Sequence, residues 1–568
     1  MPAIVLALVV GVLFYLGYRY YSNYLARKVY ALDASAATPA HTMSDGVDFV
    51  PTNKHVLFGH HFTSIAGAAP IVGPAIAVFW GWGPALLWVV AGTIFAAGVH
   101  DFGALVVSVR HKARSIGTLA NEVINKRARA LFLLIIFFLL TLVNAVFAVV
   151  IANLFVANPE AVLPMLLQIP LAIGIGQYVY RTRSAALVPT LIGVVLLYCS
   201  ILLGQLWPIT LGFAAEDGFF TDRNIWVILL FAYTFVASRI PVWVLLQPRD
   251  YINSHQLFIA LGVIVLGVTV GMDKIVAPAI NDTPEGSPSW FPLLFVTIAC
   301  GAISGFHSLV SSGTTSKQLD KETDARYVGY FGAVGEGSLA LGSILACTAG
   351  VVATTADWNA VYADFASASD GATGNFVAGV ANFASNLGVS ASLATVFAAI
   401  VVISFAATTM DTGVRLQRYI VQEIAEVAGA RKLSRSATFG SLVAVLVPLA
   451  MALIPGGGKD GFTFGVLWQL FGTTNQLTAG LALAVIAVWV TKQRRNPTAV
   501  LIPLVFLVVM TVWALIVNLQ EFLNQQEWVL FPLDLIILVL AIWLIVEAAI
   551  ALRKAWQGAA EQDESTVR

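Results

Sequence analysis

A group of ionisable side chains lies inside long apolar stretches of this sequence, where a charge is costly. They are His60, His61, His100, Asp101, His307, Glu336 and Asp411. Such a group is retained in an apolar environment when it has a partner or a function, so each one marks a candidate site. Histidine titrates nearest to neutral pH, and a neighbouring carboxylate tunes that titration. Together with Ser311 and Ser312, the set predicts an ion-coupling site, and we favour the proton as the coupling ion.

Two other ions stay open as alternatives for the same side chains. Imidazole and carboxylate ligands suit Zn²⁺, but HExxH spacing is absent and adjacent pairs cannot both point one way on a helix. We therefore assign no metal, although the candidates for one are His60, His61, His100, Asp101 and His307. The hydroxyls within residues 301–319 could instead coordinate Na⁺, or bond to their own helix backbone. No organic cofactor is expected.

The composition determines the environment in which these groups must act. Of the 568 residues 58% are hydrophobic and 11% are charged, whereas a soluble domain carries about 25% charged residues. So few charges would leave very large apolar patches in water, so we expect an all-α polytopic membrane protein. The formal net charge of +0 gives no indication of a nucleic-acid partner.

The apolar stretches predict about fifteen membrane-spanning helices, each of about 20 residues. They lie near residues 3–25, 60–80, 84–108, 130–156, 161–180, 186–208, 224–247, 254–273, 291–312, 329–354, 391–412, 438–455, 466–490, 498–520 and 528–552. The longest connection on the outer side, about 355–390, contains NFVAGVANF, which predicts a short re-entrant or interfacial helix.

Basic residues support this order of spans, because cytoplasmic connections are enriched in Lys and Arg. Alternate connections hold the basic residues of 110–129, 181–183, 416–436, 492–495 and 552–554, whereas Arg223, Lys274 and Lys459 lie in the others. We therefore expect the amino terminus outside and the carboxyl terminus inside. The ionisable groups listed above then share the cytoplasmic half of the membrane.

Two spans are interrupted by residues that a plain apolar helix does not need. FGHHFTSIAGAAPIVGP (58–74) has glycines and prolines, and FVASRIPVWVLLQPRDY (235–251) has Pro241 after a polar pair. Interrupted helices at corresponding positions of two halves indicate a transporter site built on inverted repeats. The predicted substrate-binding residues are Ser64, Gly67, Ala68, Pro70, Gly73, Ser238 and Arg239.

The predicted domain organisation follows from the five-helix separation of these two spans. A leading helix and loop (1–57) precede the first five-helix repeat (58–208) and the inverted second repeat (224–412). Additional helices and a short tail (413–568) complete the chain.

Five stretches together resemble the carbon starvation (CstA) family, in the family's order. They are FGHHFTSIAGAAPIVGPAIA, AGVHDFGALVVSVR, VWVLLQPRDY, TIACGAISGFHSLVSSGTT and LWQLFGTTNQLTAG. The resemblance implies a bacterial inner-membrane uptake protein for small peptides or pyruvate, driven by an ion gradient, with a LeuT-like five-plus-five inverted fold. The chain departs from the family in a shorter carboxyl-terminal part and in Arg239, a cation suited to a substrate carboxylate.

The predicted function is therefore secondary active transport, not catalysis. The substrate is a small peptide or a short carboxylate such as pyruvate, the surroundings are a bacterial inner membrane, and coupling to protons is preferred. The alternatives are sodium-coupled uptake, a metal-binding membrane enzyme and a nutrient sensor with a transporter fold. Nothing in the sequence indicates an oligomeric state.

Overall fold

The computed structural model describes residues 1–46, 48–182, 187–213, 219–241, 243–453 and 464–567, without the side chains of 464–466 and 559–567. In this part of the chain the regular elements are helices, and strand-like pairing is limited to two isolated bridges. The predicted all-α fold class is confirmed.

The helices follow in chain order, and each includes its short 3₁₀ or π turns. They are α1 Ala3–Val29, α2 Lys54–Ile65, α3 Ala69–Trp80, α4 Trp82–Arg110, α5 Ile116–Val123, α6 Lys126–Ala157, α7 Pro159–Thr182, α8 Leu187–Leu206, α9 Asp222–Ala237, α10 Leu246–Gly271, α11 Trp290–Thr297, α12 Ala299–Ala302, α13 Gly305–Gly313, α14 Glu322–Gly350, α15 Thr355–Val361, α16 Phe365–Asp370, α17 Ala372–Asn386, α18 Ala391–Val427, α19 Arg431–Ser434, α20 Ala437–Leu453, α21 Phe464–Lys492, α22 Thr498–Asn524 and α23 Leu530–Val567. A single turn at Pro39–Thr42 is left without a label.

Among the described residues, 11 helices are long and apolar enough to cross a membrane, and the bent pair α2–α3 makes 12. The predicted count of about fifteen is not reached. The three remaining predicted spans, 224–247, 291–312 and 438–455, correspond to a short α9, the interrupted series α11–α13 and the 17-residue α20.

The helices α4, α6, α14, α18 and α21 form an inner group, because more than half of each apolar window is buried in the protein. The apolar window of α21 is 100% buried in the protein, whereas that of α23 is 28% buried. α6 runs for 32 residues, about 48 Å, and is capped by Asn125, whose side chain accepts a hydrogen bond from Ala128 N. The outer helices α1, α7, α8, α22 and α23 expose large apolar side chains, as lipid contact requires.

The basic connections meet at one end of the bundle, which we call the basic face. Arg110 donates to Tyr30 O (3.0 Å) and forms an ion pair with Glu322 (2.5 Å), while Lys492 donates to Val123 O (2.7 Å). Ends of α1, α4, α5, α14 and α21 therefore lie together. The predicted grouping of basic connections is confirmed for these residues, and Arg183 and Lys459 lie outside the described residues.

The opposite face joins the other ends of the same helices. Ala3 N donates to Asp273 O (2.9 Å), and Trp82 N donates to Pro278 O (3.2 Å). On this face the predicted helix in 355–390 is confirmed as α17, and it packs so closely that a Cβ on Gly379 would lie 2.2 Å from Ala346 O. Its contact shows that the segment folds into the bundle. Which face is cytoplasmic stays a prediction.

Candidate functional site

The first interrupted helix breaks where the sequence predicted. α2 ends at Ile65, α3 begins at Ala69, and the two halves are bent by 48°. Pro70 lies in the first turn of α3, where its missing N–H leaves no helical hydrogen bond unmade. Glycine at 67 is required by close packing, because a Cβ there would lie 2.4 Å from Thr409 Oγ1.

The second interruption lies in α11–α13 and touches the first. The backbone leaves the helical conformation at Ile298 and again at Ile303 and Ser304. A Cβ on Gly73 would lie 2.4 Å from Thr297 O, and one on Gly301 would lie 3.1 Å from Pro74. The two interrupted helices therefore cross in direct backbone contact.

The side chain of Asn475 on α21 compensates for the second interruption. Its Oδ1 accepts hydrogen bonds from Phe306 N (3.0 Å) and Ser304 Oγ (3.2 Å), while Trp468 Nε1 donates to Thr297 O (3.2 Å). Non-helical backbone at membrane depth is tolerated where protein groups satisfy it, as they do here.

A chain of four buried titratable side chains links the second interrupted helix to α4 and α14. Asp101 lies within hydrogen-bond distance of His100 Nδ1 (2.6 Å) and of His307 Nδ1 (2.8 Å). His307 Nε2 lies 3.1 Å from Glu336 Oε2. All four side chains are at most 2% exposed, so their polar contacts are to one another and not to bulk water.

Asp411 belongs to a separate buried cluster, which the sequence did not predict. Arg249 Nη1 lies 2.5 Å from Asp411 Oδ2 and donates to Tyr233 OH (2.7 Å). Arg249 Nη2 donates to Thr408 Oγ1 at 3.1 Å. The predicted ion-coupling set is thus divided, with Asp411 already neutralised by a buried guanidinium.

The adjacent histidines of α2 also point to different partners. His60 Nδ1 lies 3.1 Å from Asp250 Oδ2, and His61 Nδ1 lies 2.9 Å from Thr315 Oγ1. The described residues contain no group of three or more His, Cys, Asp or Glu side chains placed as metal ligands. The five metal candidates are therefore not brought to one point.

The hydroxyls of α13 are mostly used within their own helix. Ser308 donates to Gly305 O (2.7 Å), and Ser312 donates to Ser308 O (2.6 Å) while accepting from Ile116 N (2.9 Å). Ser311 is buried and its hydroxyl has no hydrogen-bond partner in the described structure.

Two neighbouring cavities, which share lining residues, lie between the basic face and the first interruption. The outer one, which we call the vestibule, has a volume of about 720 Å³ and lies between α5, α13, α18 and α19. The inner cavity, about 50 Å³, shares Asp48, Gly313, Lys317, Leu416 and Tyr419 with the vestibule. It ends at Ser64 and Thr412, one helical turn short of the contact between Gly67 and Thr409.

The predicted substrate-binding residues are divided by this arrangement. Ser64 lines the inner cavity, whereas Gly67, Ala68, Pro70 and Gly73 form the buried interruption beyond it. Ser238 is buried against Ser441 on α20, with 3.2 Å between the hydroxyl oxygens. Arg239 is exposed and donates to Thr438 Oγ1 (2.8 Å), so it does not reach the interruption of α2–α3.

Sequence reasoning missed Arg249, Asp250 and Arg415, although each is at most 8% exposed. The first two were assigned to the connection after the span 224–247. In the structure α9 ends at Ala237 and α10 begins at Leu246, so the Arg–Asp pair lies inside a helix. The sequence did contain a signal for this pair, because Arg249 and Asp250 belong to VWVLLQPRDY, one of the five stretches that resemble the CstA family.

Comparison with known proteins identifies one family and relatives that are named as transporters. The profile of the family described as carbon starvation protein CstA matches residues 2–358 and 350–514. The pyruvate/proton symporter BtsT of Escherichia coli (strain K12) is 32% identical over 90% of this chain and 81% of its own. The peptide transporter CstA of Bacillus subtilis (strain 168) is 32% identical over 87% of each chain.

One solved structure that the chain matches is MhsT in complex with L-phenylalanine. The TM-score is 0.49 at 12% sequence identity, with 88% of this chain and 99% of that chain covered.

Proposed function

The chain belongs to the carbon starvation (CstA) family, and from this membership we propose that it is a proton-coupled secondary transporter. Its substrate is a small peptide or a short carboxylate such as pyruvate, taken up across the bacterial inner membrane. The relatives support both halves of the proposal, since one is named a pyruvate/proton symporter and another a peptide transporter.

The observation that carries proton coupling is the buried chain His100–Asp101–His307–Glu336. Both ring nitrogens of His307 face a carboxylate, so His307 donates to both when it is protonated. Loss of a proton from these four side chains would leave the buried negative charges of Asp101 and Glu336 without a balancing positive charge. The attraction of α13 to α4 and α14 would then be weaker. Protonation thereby biases the position of one half of an interrupted helix.

The cavities support a transport path through the crossing of the interrupted helices. The path is open from the basic face as far as Ser64 and is closed where Gly67 meets Thr409. This arrangement corresponds to one of the two states that alternating access requires. Movement of the interrupted helices against α6 and α18 would open the other side.

We place the start of the second repeat at α11 instead of residue 224. The same order of helices occurs twice, in α2–α6 and in α11–α18. Each begins with an interrupted helix and a long helix, continues with one or more shorter helices and ends with a second long helix. The two interruptions touch at Gly73 and Thr297, whereas Arg239 lies on the surface. In the predicted order of spans they are separated by an odd number of crossings, as inverted repeats require.

Uptake by purified protein in proteoliposomes tests this function. Labelled pyruvate and a labelled dipeptide are supplied under an imposed proton gradient, an imposed sodium gradient, or neither. We expect accumulation of at least one solute under the proton gradient alone. Accumulation under the sodium gradient alone would assign coupling to Na⁺, and absence of both uptake and counterflow would contradict transport and favour a sensor.

A further inference from the structure

The inner cavity is lined by more cationic than anionic side chains. Lys317 and Arg415 line it together with His60, and Asp48 is the carboxylate-bearing residue among the described lining residues. Its other polar lining includes Ser64, Thr412 and Tyr419. An anion entering from the vestibule would therefore meet a surplus of positive charge.

Arg415 is buried, and no carboxylate of the described residues forms an ion pair with it. It is 8% exposed, and its Nη2 donates to the backbone carbonyl oxygens of Ala237 (2.8 Å) and Ile240 (2.7 Å). Its Nε is buried and has no hydrogen-bond partner. The guanidinium also bonds to Tyr419 and is attracted by Asp411, but carbonyl and hydroxyl groups do not neutralise it, so its charge acts on any ligand in the cavity that it lines.

Lys317 supplies the second cation that lines this cavity. Its Nζ lies 5.6 Å from the centre of the Phe49 ring, and it has no ion pair among the described residues. By contrast, Arg249 is held by Asp411 and Arg239 is exposed. Of the cationic side chains near the interruptions, Lys317 and Arg415 both line the inner cavity. Neither forms an ion pair with a carboxylate of the described residues.

We propose that Arg415 and Lys317 bind the carboxylate of the transported solute at the inner end of the vestibule. This inference rests on the proposed transport function and specifies the chemical group that is recognised. A cavity of about 50 Å³ has room for a carboxylate group, since about 10–15 Å³ in the same measure is enough to hold a water molecule. The rest of the solute lies in the vestibule of about 720 Å³.

This division predicts strict recognition at one end of the solute and tolerance at the other. A free carboxylate is required, whereas the remainder meets a wide space. Pyruvate and a dipeptide both satisfy the requirement, and their amides do not. The same site would then serve both substrate classes named among the relatives.

Competition in proteoliposomes containing the unaltered protein tests the carboxylate requirement. Unlabelled pyruvate is compared with pyruvamide, and alanylalanine with its carboxyl-terminal amide, as competitors of the labelled solute that is transported. We expect each amide to compete about 10-fold to 100-fold more weakly, the loss for a charge-assisted hydrogen bond. Equal competition by amide and acid would overturn the inference while leaving transport established.

Variants then assign the requirement to the two cations. Lys317→Gln and Arg415→Gln should raise KM by about 10-fold or more, and Arg415→Lys should recover part of the loss. Lys432→Gln, which removes an exposed charge of α19 outside both cavities, is the control and should leave KM unchanged.

The two proposals fail in different ways. If Arg415→Gln does not fold because Ala237 and Ile240 lose their donor, Lys317→Gln and the amide competition still decide the inference. Unaltered KM values in Lys317→Gln together with equal amide competition would exclude this site. Lack of uptake and counterflow in the unaltered protein would instead contradict the transport function itself.

Discussion

His307 occupies the central position among the buried side chains, because each of its ring nitrogens faces a carboxylate. The distances are 2.8 Å to Asp101 and 3.1 Å to Glu336. With His307 protonated and both carboxylates ionised, the triad carries one net negative charge, and one more proton makes it neutral. Glu336 is the last of the four linked side chains His100, Asp101, His307 and Glu336. We expect that its protonation is the one coupled to transport.

Glu336→Gln should separate exchange from accumulation. The amide retains the shape of the side chain but cannot bind or release a proton, so accumulation driven by a proton gradient should fall by about 5-fold to 150-fold. Counterflow of the same solute needs no net proton movement and should persist. Both are measured in proteoliposomes, with Ser338→Ala on the same helix as the control; equal loss of both activities would argue against a coupling role.

The two arginines near the end of α9 and the start of α10 should behave differently. Arg249→Gln leaves Asp411 buried and unpaired, which should cost about 3–5 kcal/mol of folding free energy. Arg239→Gln changes an exposed side chain and should alter stability by no more than about 0.5 kcal/mol. Thermal unfolding in detergent compares the two, and Arg249→Gln combined with Asp411→Asn should recover part of the loss.

A similar result for both single variants would show that Asp411 does not depend on Arg249. Uptake by Arg239→Gln also tests the sequence-based assignment of the carboxylate to that residue. We expect its KM to be unchanged, because Arg239 contacts Thr438 and lines neither cavity.

The two interruptions differ in how well they can be predicted from the local sequence. Gly67 and Pro70 mark the first interruption, because both residue types weaken a helix locally. The second interruption, at Ile298 and Ile303, contains no proline, and its local signal is limited to Gly301 and Gly305. It is stabilised from outside by Asn475, which lies far away in the chain, so local propensity did not suffice to locate it.

Gly73 should be necessary for the contact between these helices. Gly73→Ala would bring a Cβ to 2.4 Å from the backbone oxygen of Thr297, and neither backbone can move aside without shifting a helix. We expect a loss of about 1–3 kcal/mol in stability, as for overpacked cores. Thermal unfolding and size-exclusion profiles in detergent provide the measurement.

Gly374→Ala is the matched control for Gly73→Ala. A Cβ at Gly374 meets nothing within 4 Å, and the residue lies in α17. Replacing a helical glycine by alanine in open space should be neutral or stabilise the protein by up to about 1 kcal/mol. If both variants lower stability equally, close contact at Gly73 is not the cause.

The whole molecule presents one face rich in basic connections, with the vestibule opening on it. Lys317, Arg431 and Arg435 line the vestibule together with Glu423 and Glu426. The rule that cytoplasmic connections carry the excess of Lys and Arg predicts that this is the cytoplasmic face. On that prediction, the cavities described open toward the cytoplasm.

Sided labelling of single cysteines tests this orientation. In a variant with Cys199, Cys300 and Cys347 replaced by serine, Lys432→Cys lies on the basic face and Asp282→Cys on the opposite face; both native side chains are exposed. A membrane-impermeant maleimide applied to intact cells with a permeable outer membrane should modify Cys at 282 and spare Cys at 432. The reverse pattern would place the basic face outside.

Composition and the order of apolar and basic stretches suffice to predict an all-helical membrane protein, most of its spans and the grouping of basic connections. These properties depend on residues close together in the chain, through the thickness of the apolar layer and the asymmetry of positive charge. The interruption at Gly67 and Pro70 can be predicted for the same reason, because it depends on residues that are close together in the chain.

The partners of the buried groups depend on tertiary structure. His100, Asp101, His307 and Glu336 could be selected as a set from their placement in apolar spans, but not separated from Asp411, which pairs with Arg249. Likewise, Arg415 became a candidate ligand for a carboxylate only once its cavity and unused donor were visible. Hydrogen bonds and ion pairs form between residues hundreds of positions apart, and helix packing, which no local pattern encodes, decides which of them meet.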